Sequence, residues 1–133
     1  MILLYILIGP TLLEPVTAHA EPLSAEAFDQ YTRGKTLFYG AEGAPYGAER
    51  YMEGRRVVWT FLDGKCQDGE WYENQIGHIC FVYENNKVPQ CWSFEIGQDG
   101  LIAQFENNTE ATILYEANED GEEMLCRGPN VGV

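Results

Sequence analysis

Few side chains in residues 21–133 can act as a nucleophile or a base. There are two serines, Ser24 and Ser93, one histidine, His78, and four cysteines, Cys66, Cys80, Cys91 and Cys126. A serine nucleophile needs an adjacent base and a set of oxyanion donors. His78 and Ser93 fall at positions that face each other across a hairpin, but neither lies in the Gly-rich elbow that presents such a serine. A cross-strand polar pair on an outer face accounts for the spacing. Glu70 and Glu84 are acids on neighbouring candidate strands, yet glycoside chemistry needs a cleft between its two carboxylates, and solvated sheet positions suit both. Asp63, Asp68 and Glu70 form one acidic cluster, and Asn118, Glu119, Asp120, Glu122 and Glu123 another. Neither has the ligand spacing of a calcium loop. With no C-x-x-C and one histidine after residue 20, the cysteines do not read as a zinc site. The expectation is a protein that is not an enzyme and carries no cofactor or metal.

The cysteines read instead as two disulfides, for which three connectivities exist. If Asn85-Asn86 is a two-residue hairpin turn, the residue numbers of facing pairs sum to 171. Glu84 then faces Lys87, and Cys80 faces Cys91 at the close approach a bridge requires. Cys66 and Cys126 remain to pair with each other. Disulfides imply an oxidising compartment, and the N-terminus agrees. Residues 2–8 are apolar, and Ala18-His19-Ala20 is a small-residue cleavage site before Glu21. Residues 1–20 therefore read as a secretory signal, broken by Pro10, Glu14 and Pro15 and too short to span a bilayer. No Lys or Arg precedes the apolar run, a departure from the usual signal. The expectation is a periplasmic or secreted protein with one disulfide-bonded β domain at 21–133.

The elements that position these residues follow from alternation. From Val57 to Phe94 aromatic and polar residues alternate and break at Asp-Gly, Gly and Asn-Asn, the pattern of short antiparallel strands. Candidate strands lie at 36–39, 49–53, 56–62, 70–73, 78–84, 90–96, 101–106 and 112–116. Before them Ser24 caps a short helix, with Leu23 and Phe28 as a hydrophobic staple. The 41–48 segment reads as a Gly/Pro loop and 127–133 as a loose tail. The fold class is all-β: an antiparallel meander of about eight short strands, barrel-like or strongly curled, with one N-terminal helix covering a mouth or an edge. Closure removes exposed strand edges. The expected inward side chains are Trp59, Phe61, Ile79, Phe81, Trp92, Phe94, Leu101, Ala103, Phe105, Ile113 and Tyr115, with Cys80 and Cys91 on the opposite face.

The W-x-F-x-D-G-x-C-x-x-G-x-W-Y segment from Trp59 to Tyr72, with I-C-F-x-Y at Ile79 and Q-C-W-x-F at Gln90, resembles a family of small exported bacterial proteins of unknown function with a Trp/Gly/Cys-patterned β-meander. The resemblance implies export and an all-β fold. It supplies no activity and no catalytic residue.

A net charge of −13 over 133 residues disfavours nucleic acid and anionic lipid as partners. Arg55-Arg56 is the one adjacent basic pair, expected in an exposed salt bridge to Glu53 or Glu49. Asn107-Asn108-Thr109 is a glycosylation sequon. The functional expectation is a non-enzymatic binding module of the cell envelope, taking a cationic protein or a small apolar ligand. The contact is placed on an exposed surface at Tyr39, Tyr46 and Tyr51, near the Gly/Pro loop. A structural or assembly accessory of the envelope is the alternative, and a small hydrolase is disfavoured. A ligand-sized cavity inside the sheet would favour the small molecule; a solid core would favour a protein partner.

Overall fold

The computed structural model describes residues 9–15, 21–117 and 124–127. The expected leader lies outside them except for 9–15, as does the second acidic cluster. No helix among the described residues is long and apolar enough to cross a membrane.

Helix α1 (Ala25–Thr32) starts where two oxygens meet its free N–H groups. Ser24 Oγ accepts from Ala27 N–H at 3.1 Å, and Glu73 Oε2 accepts from Ala25 N–H at 2.9 Å. It stops at Gly34, whose φ of +80° breaks the helix without steric cost. Eight strands follow: β1 (Thr36–Ala41), β2 (Ala44–Tyr51), β3 (Arg56–Thr60), β4 (Cys66–Glu73), β5 (Ile79–Tyr83), β6 (Asn86–Gly97), β7 (Gly100–Phe105) and β8 (Leu114–Ala117). Each pairs antiparallel with the next, and β8 pairs back to β1, closing an up-and-down barrel. The expected fold class is the observed one.

Both expected disulfides are present, Cys80–Cys91 and Cys66–Cys126. The register at the first is the expected one: Ile79 faces Trp92, Cys80 faces Cys91 and Phe81 faces Gln90. The turn, however, is Glu84-Asn85, with Tyr83 facing Asn86 and a bulge between Phe81 and Tyr83. Two extra residues on β6 absorb the difference, beside Pro89, which has no N–H to give a ladder. A shift of two residues keeps every side chain on its own face, so the cysteines still meet. The second bridge closes a separation of 60 residues, worth about 4 kcal/mol on the chain-entropy account. It lays Met124 over Phe38, Ala48 and Val58 on the outside of β1 to β3.

The 41–48 segment is mostly strand, contrary to the loop expected from its Gly and Pro. Glu42 and Gly43 both take positive φ, +52° and +80°, as a tight two-residue hairpin turn demands. Tyr46 is therefore a strand residue. Strand β8 also departs from expectation by one residue. Leu114 and not Ile113 or Tyr115 points inward; Ile113 and Tyr115 are exposed. The Tyr115 ring fills the space over Gly40, and its hydroxyl accepts from Gly43 N–H at 2.9 Å. Phe61 lies beyond the end of β3 and is exposed rather than buried, while Trp92 and Phe105 are half-buried against each other at 4.8 Å between ring centroids.

Helix α1 seals one mouth. Phe28 is wholly buried, with ring centroids 5.6 Å from Tyr51, 5.1 Å from Trp71, 6.3 Å from Phe81 and 4.5 Å from Phe94. Replacing Phe28 by alanine should cost about 3–5 kcal/mol, the range for a large buried ring. The half-buried Trp92 should cost clearly less. Urea midpoints of the two variants check the order, and an equal loss would mean that Phe28 is not the keystone of that end.

Candidate functional site

At the end away from α1 the described residues leave the barrel open. A cavity of about 210 Å³ lies there, reached by Phe61 after β3 and by Asn85 and Asn86 of the β5–β6 turn. Its walls are aromatic: Tyr39, Tyr51, Trp59, Phe81, Tyr83 and Phe94 inside, Tyr46, Phe61 and Trp92 toward the mouth. Apolar cavities of roughly 150 Å³ admit a benzene-sized molecule, so this one has room for a single ring with a short substituent.

Two glycines make the room that the walls need. Gly47 and Glu49 share the inward face of β2 with Tyr51. A Cβ at Gly47 would collide with the Trp59 indole, which lies across that position. A Cβ at Gly69 would come within 2.6 Å of Tyr83 Cδ1. Thus β2 and β4 give up a side chain each so that large rings from neighbouring strands can lie against them.

Among these rings sits Glu49, 2% exposed. Its Oε1 accepts a hydrogen bond from the Tyr83 hydroxyl at 2.8 Å. Its Oε2 is buried without a partner. Beside it the Tyr39 and Tyr51 hydroxyls bond to each other at 2.8 Å. Desolvation pushes the Glu49 carboxyl well above the ordinary carboxylate range, opposed only in part by the Tyr83 hydrogen bond. Burial pushes Tyr39, Tyr51 and Tyr83 up as well. Among the described residues no Lys, Arg or His lines the cavity. The arrangement therefore offers an acid whose burial favours its neutral form, in a largely aromatic chamber.

The three tyrosines expected at a recognition surface all reach this chamber, but two arrive from inside. Tyr39 and Tyr51 are buried, because they share the inward face of β1 and β2. Only Tyr46 is exposed, its ring 5.9 Å from Trp59 and 5.8 Å from Phe61. The expected salt bridge from Arg55-Arg56 to Glu49 is overturned by the burial of that acid; Arg55 instead lies 4.5 Å over the Trp71 ring. Glu49 and Tyr83 were missed as site residues. The signal was there: in Gly47-Ala48-Glu49-Arg50-Tyr51 the acid has the same parity as Tyr51, so any strand that buries one buries the other.

The remaining chemical candidates are accounted for on the outside. Ser93 Oγ donates to Glu106 Oε1 at 2.6 Å, and His78 Nε2 lies 3.9 Å from the other carboxylate oxygen. The carboxylate thus stands between the two, and the serine proton points to it and not to the imidazole. Glu70 and Glu84 are exposed. Asp63 accepts from Lys65 N–H at 2.9 Å within its turn. Asn107 of the sequon has both amide ends engaged, accepting from Cys91 N–H and donating to Pro89 O, each at 2.9 Å. Comparison with protein-family models, curated proteins and solved structures finds no match to this chain. The resemblance drawn from the Trp/Gly/Cys spacings rests on those residues alone.

Glu49 makes stability depend on pH. Its folded-state value is raised above the ordinary 4.5, so its favourable share is full below that pH and is lost as pH rises through the folded-state value. The loss runs at about 1.4 kcal/mol per pH unit over that window. Glu49→Gln cannot ionise. Relative to wild type it should gain at least about 1 kcal/mol between pH ~4 and pH ~8, read from denaturant midpoints at both. A constant difference would mean that the carboxyl is not held in a desolvated site.

Proposed function

We propose that the protein is an exported, non-enzymatic binding module that takes a small, single-ring molecule into the open end of its barrel. The carrying observation is the aromatic cavity with Glu49 on its wall, one of whose carboxyl oxygens is buried without a partner among the described residues. A core whose only purpose was packing would fill that space, since interiors are close-packed and each void costs stability. A buried polar atom without a partner is equally expensive. Both costs are met at one place, and a ligand relieves both. The mouth, lined by Tyr46, Phe61, Gln67 and Gln90, provides the mixed polar and aromatic entrance that small-molecule sites use. Of the two partner classes expected from the sequence, the ligand-sized cavity favours the small molecule.

Export is supported by the leader pattern at 1–20 and by the two disulfides. N-terminal sequencing of the mature protein from an envelope or secreted fraction is expected to begin at Glu21; an intact Met1 would remove the export part of the reading.

Binding is tested by occlusion. Ala103 is buried on the cavity wall, and Ala103→Leu places three more carbons in the space. Small single-ring compounds such as benzyl alcohol should change the fluorescence of the wild type, since Trp59 forms part of the wall. The occluded variant should respond at least about tenfold more weakly while keeping a cooperative unfolding transition. Equal responses from both proteins would place binding elsewhere and return the reading to a structural accessory of the envelope.

A further inference from the structure

We propose that the occupant is a small organic cation, an ammonium group carried on a single ring, whose nitrogen is held by Glu49 Oε2. The inference rests on the ligand-binding reading above and narrows it. Three observations carry it. First, Oε2 is a buried carboxyl oxygen without a hydrogen-bond partner among the described residues, and once the acid is ionised the group that satisfies it is one that brings N–H. Second, the cavity that Glu49 lines is walled by the rings of Tyr39, Tyr51, Trp59, Phe81 and Phe94. Ring faces carry negative charge density and attract a cation, most strongly where water is excluded. Third, among the described residues no Lys, Arg or His lines the cavity, so a carboxylate or phosphate finds no counter-charge among them, and the net charge of −13 repels it on approach.

The groups that face Glu49 are Tyr39 from β1, Tyr51 from its own strand, Trp59 from β3 and Tyr83 from β5. From the closed end Glu116 of β8 and Tyr31 of α1 act on Tyr39. None of these is a cation. In the empty barrel burial therefore favours the neutral carboxyl. When an ammonium enters, the charged pair becomes the stable form; the carboxyl proton passes to solvent and the ligand nitrogen keeps all of its own. One proton is released for each cation bound. Affinity should then climb with pH up to the empty-state value of the carboxyl and level off above it. A neutral ligand that accepts a hydrogen bond from the protonated acid would show the opposite slope.

The probes are benzylammonium, benzyl alcohol and benzoate, which share a ring and differ in charge. Isothermal titration calorimetry of the disulfide-intact protein in buffers of different protonation heat counts the protons, from about pH 5 to about pH 8. The expected result is affinity in the order benzylammonium, benzyl alcohol, benzoate, with proton release accompanying the first alone. In Glu49→Gln the affinity for benzylammonium should fall about 100-fold, while that for benzyl alcohol moves by less than about threefold. Benzyl alcohol binding as tightly as the cation, or benzylammonium binding without proton release, overturns the cation assignment and leaves the cavity reading standing. Failure of all three probes overturns both. Should Glu49→Gln not fold, the proton count in the wild type decides the question by itself.

Discussion

The barrel exists because a four-residue strand bridges its first and seventh strands. β8 meets β1 over Phe38, Tyr39 and Gly40, and β7 over Ile102 and Ala103. These ladders are short, and side chains reinforce them on both faces. Outside, the Tyr115 ring lies on Gly40 and its hydroxyl takes the Gly43 N–H. Inside, Glu116 Oε2 accepts from the Tyr31 hydroxyl at 2.7 Å and from Leu101 N–H at 2.9 Å. Partial burial, and after it the bond to Glu116, push the Tyr31 hydroxyl up to about 12. One strand thus joins the sheet, the helix plug and the β1–β2 turn. Without closure there would be two exposed edges and no interior.

Closure divides the interior unequally. Toward α1 it is filled by the edge-to-face cluster around Phe28, a solid floor. Toward the hairpins at 41–44, 61–65 and 84–86 the described residues leave it open, lined by rings with no matching plug among them. An eight-stranded barrel is near the width at which side chains either fill the lumen or leave space for one small ligand. Here the two glycines at 47 and 69 tip the balance, since they let Trp59 and Tyr83 lie back against the wall instead of meeting in the middle.

Glu49 is the costly element of this arrangement. A buried carboxyl loses its hydration, and one hydrogen bond from Tyr83 replaces only part of it. The sheet could bury an apolar residue there with no such cost. Nothing else in the fold calls for an acid at that position: it caps no helix, pairs with no base and closes no turn. Its presence is understandable as a group kept ready for a partner that arrives from outside.

Much of this was readable from residue order. Alternation from Val57 to Phe94 defined the strands, and Cys80 faces Cys91 as expected, although the turn assumed at Asn85-Asn86 lies at Glu84-Asn85 and an irregularity in β6 restores the register. Ser24 and Gly34 bounded the helix. Local rules of parity, capping and turn chemistry suffice for such features because each depends on a few adjacent residues. The errors came where distant chain segments decide. Glu42-Gly43 turned a Gly/Pro stretch into a hairpin because β1 and β2 had to pair, and β8 took the parity that let Tyr115 meet Gly40, 75 positions away. The sequence by itself determined an acidic, disulfide-bonded, eight-stranded meander with a helical start. Only the tertiary structure decided that Tyr39, Glu49, Tyr51 and Tyr83 share one chamber, because which face of a strand is inside is fixed by closure of the whole ring and not by any one strand.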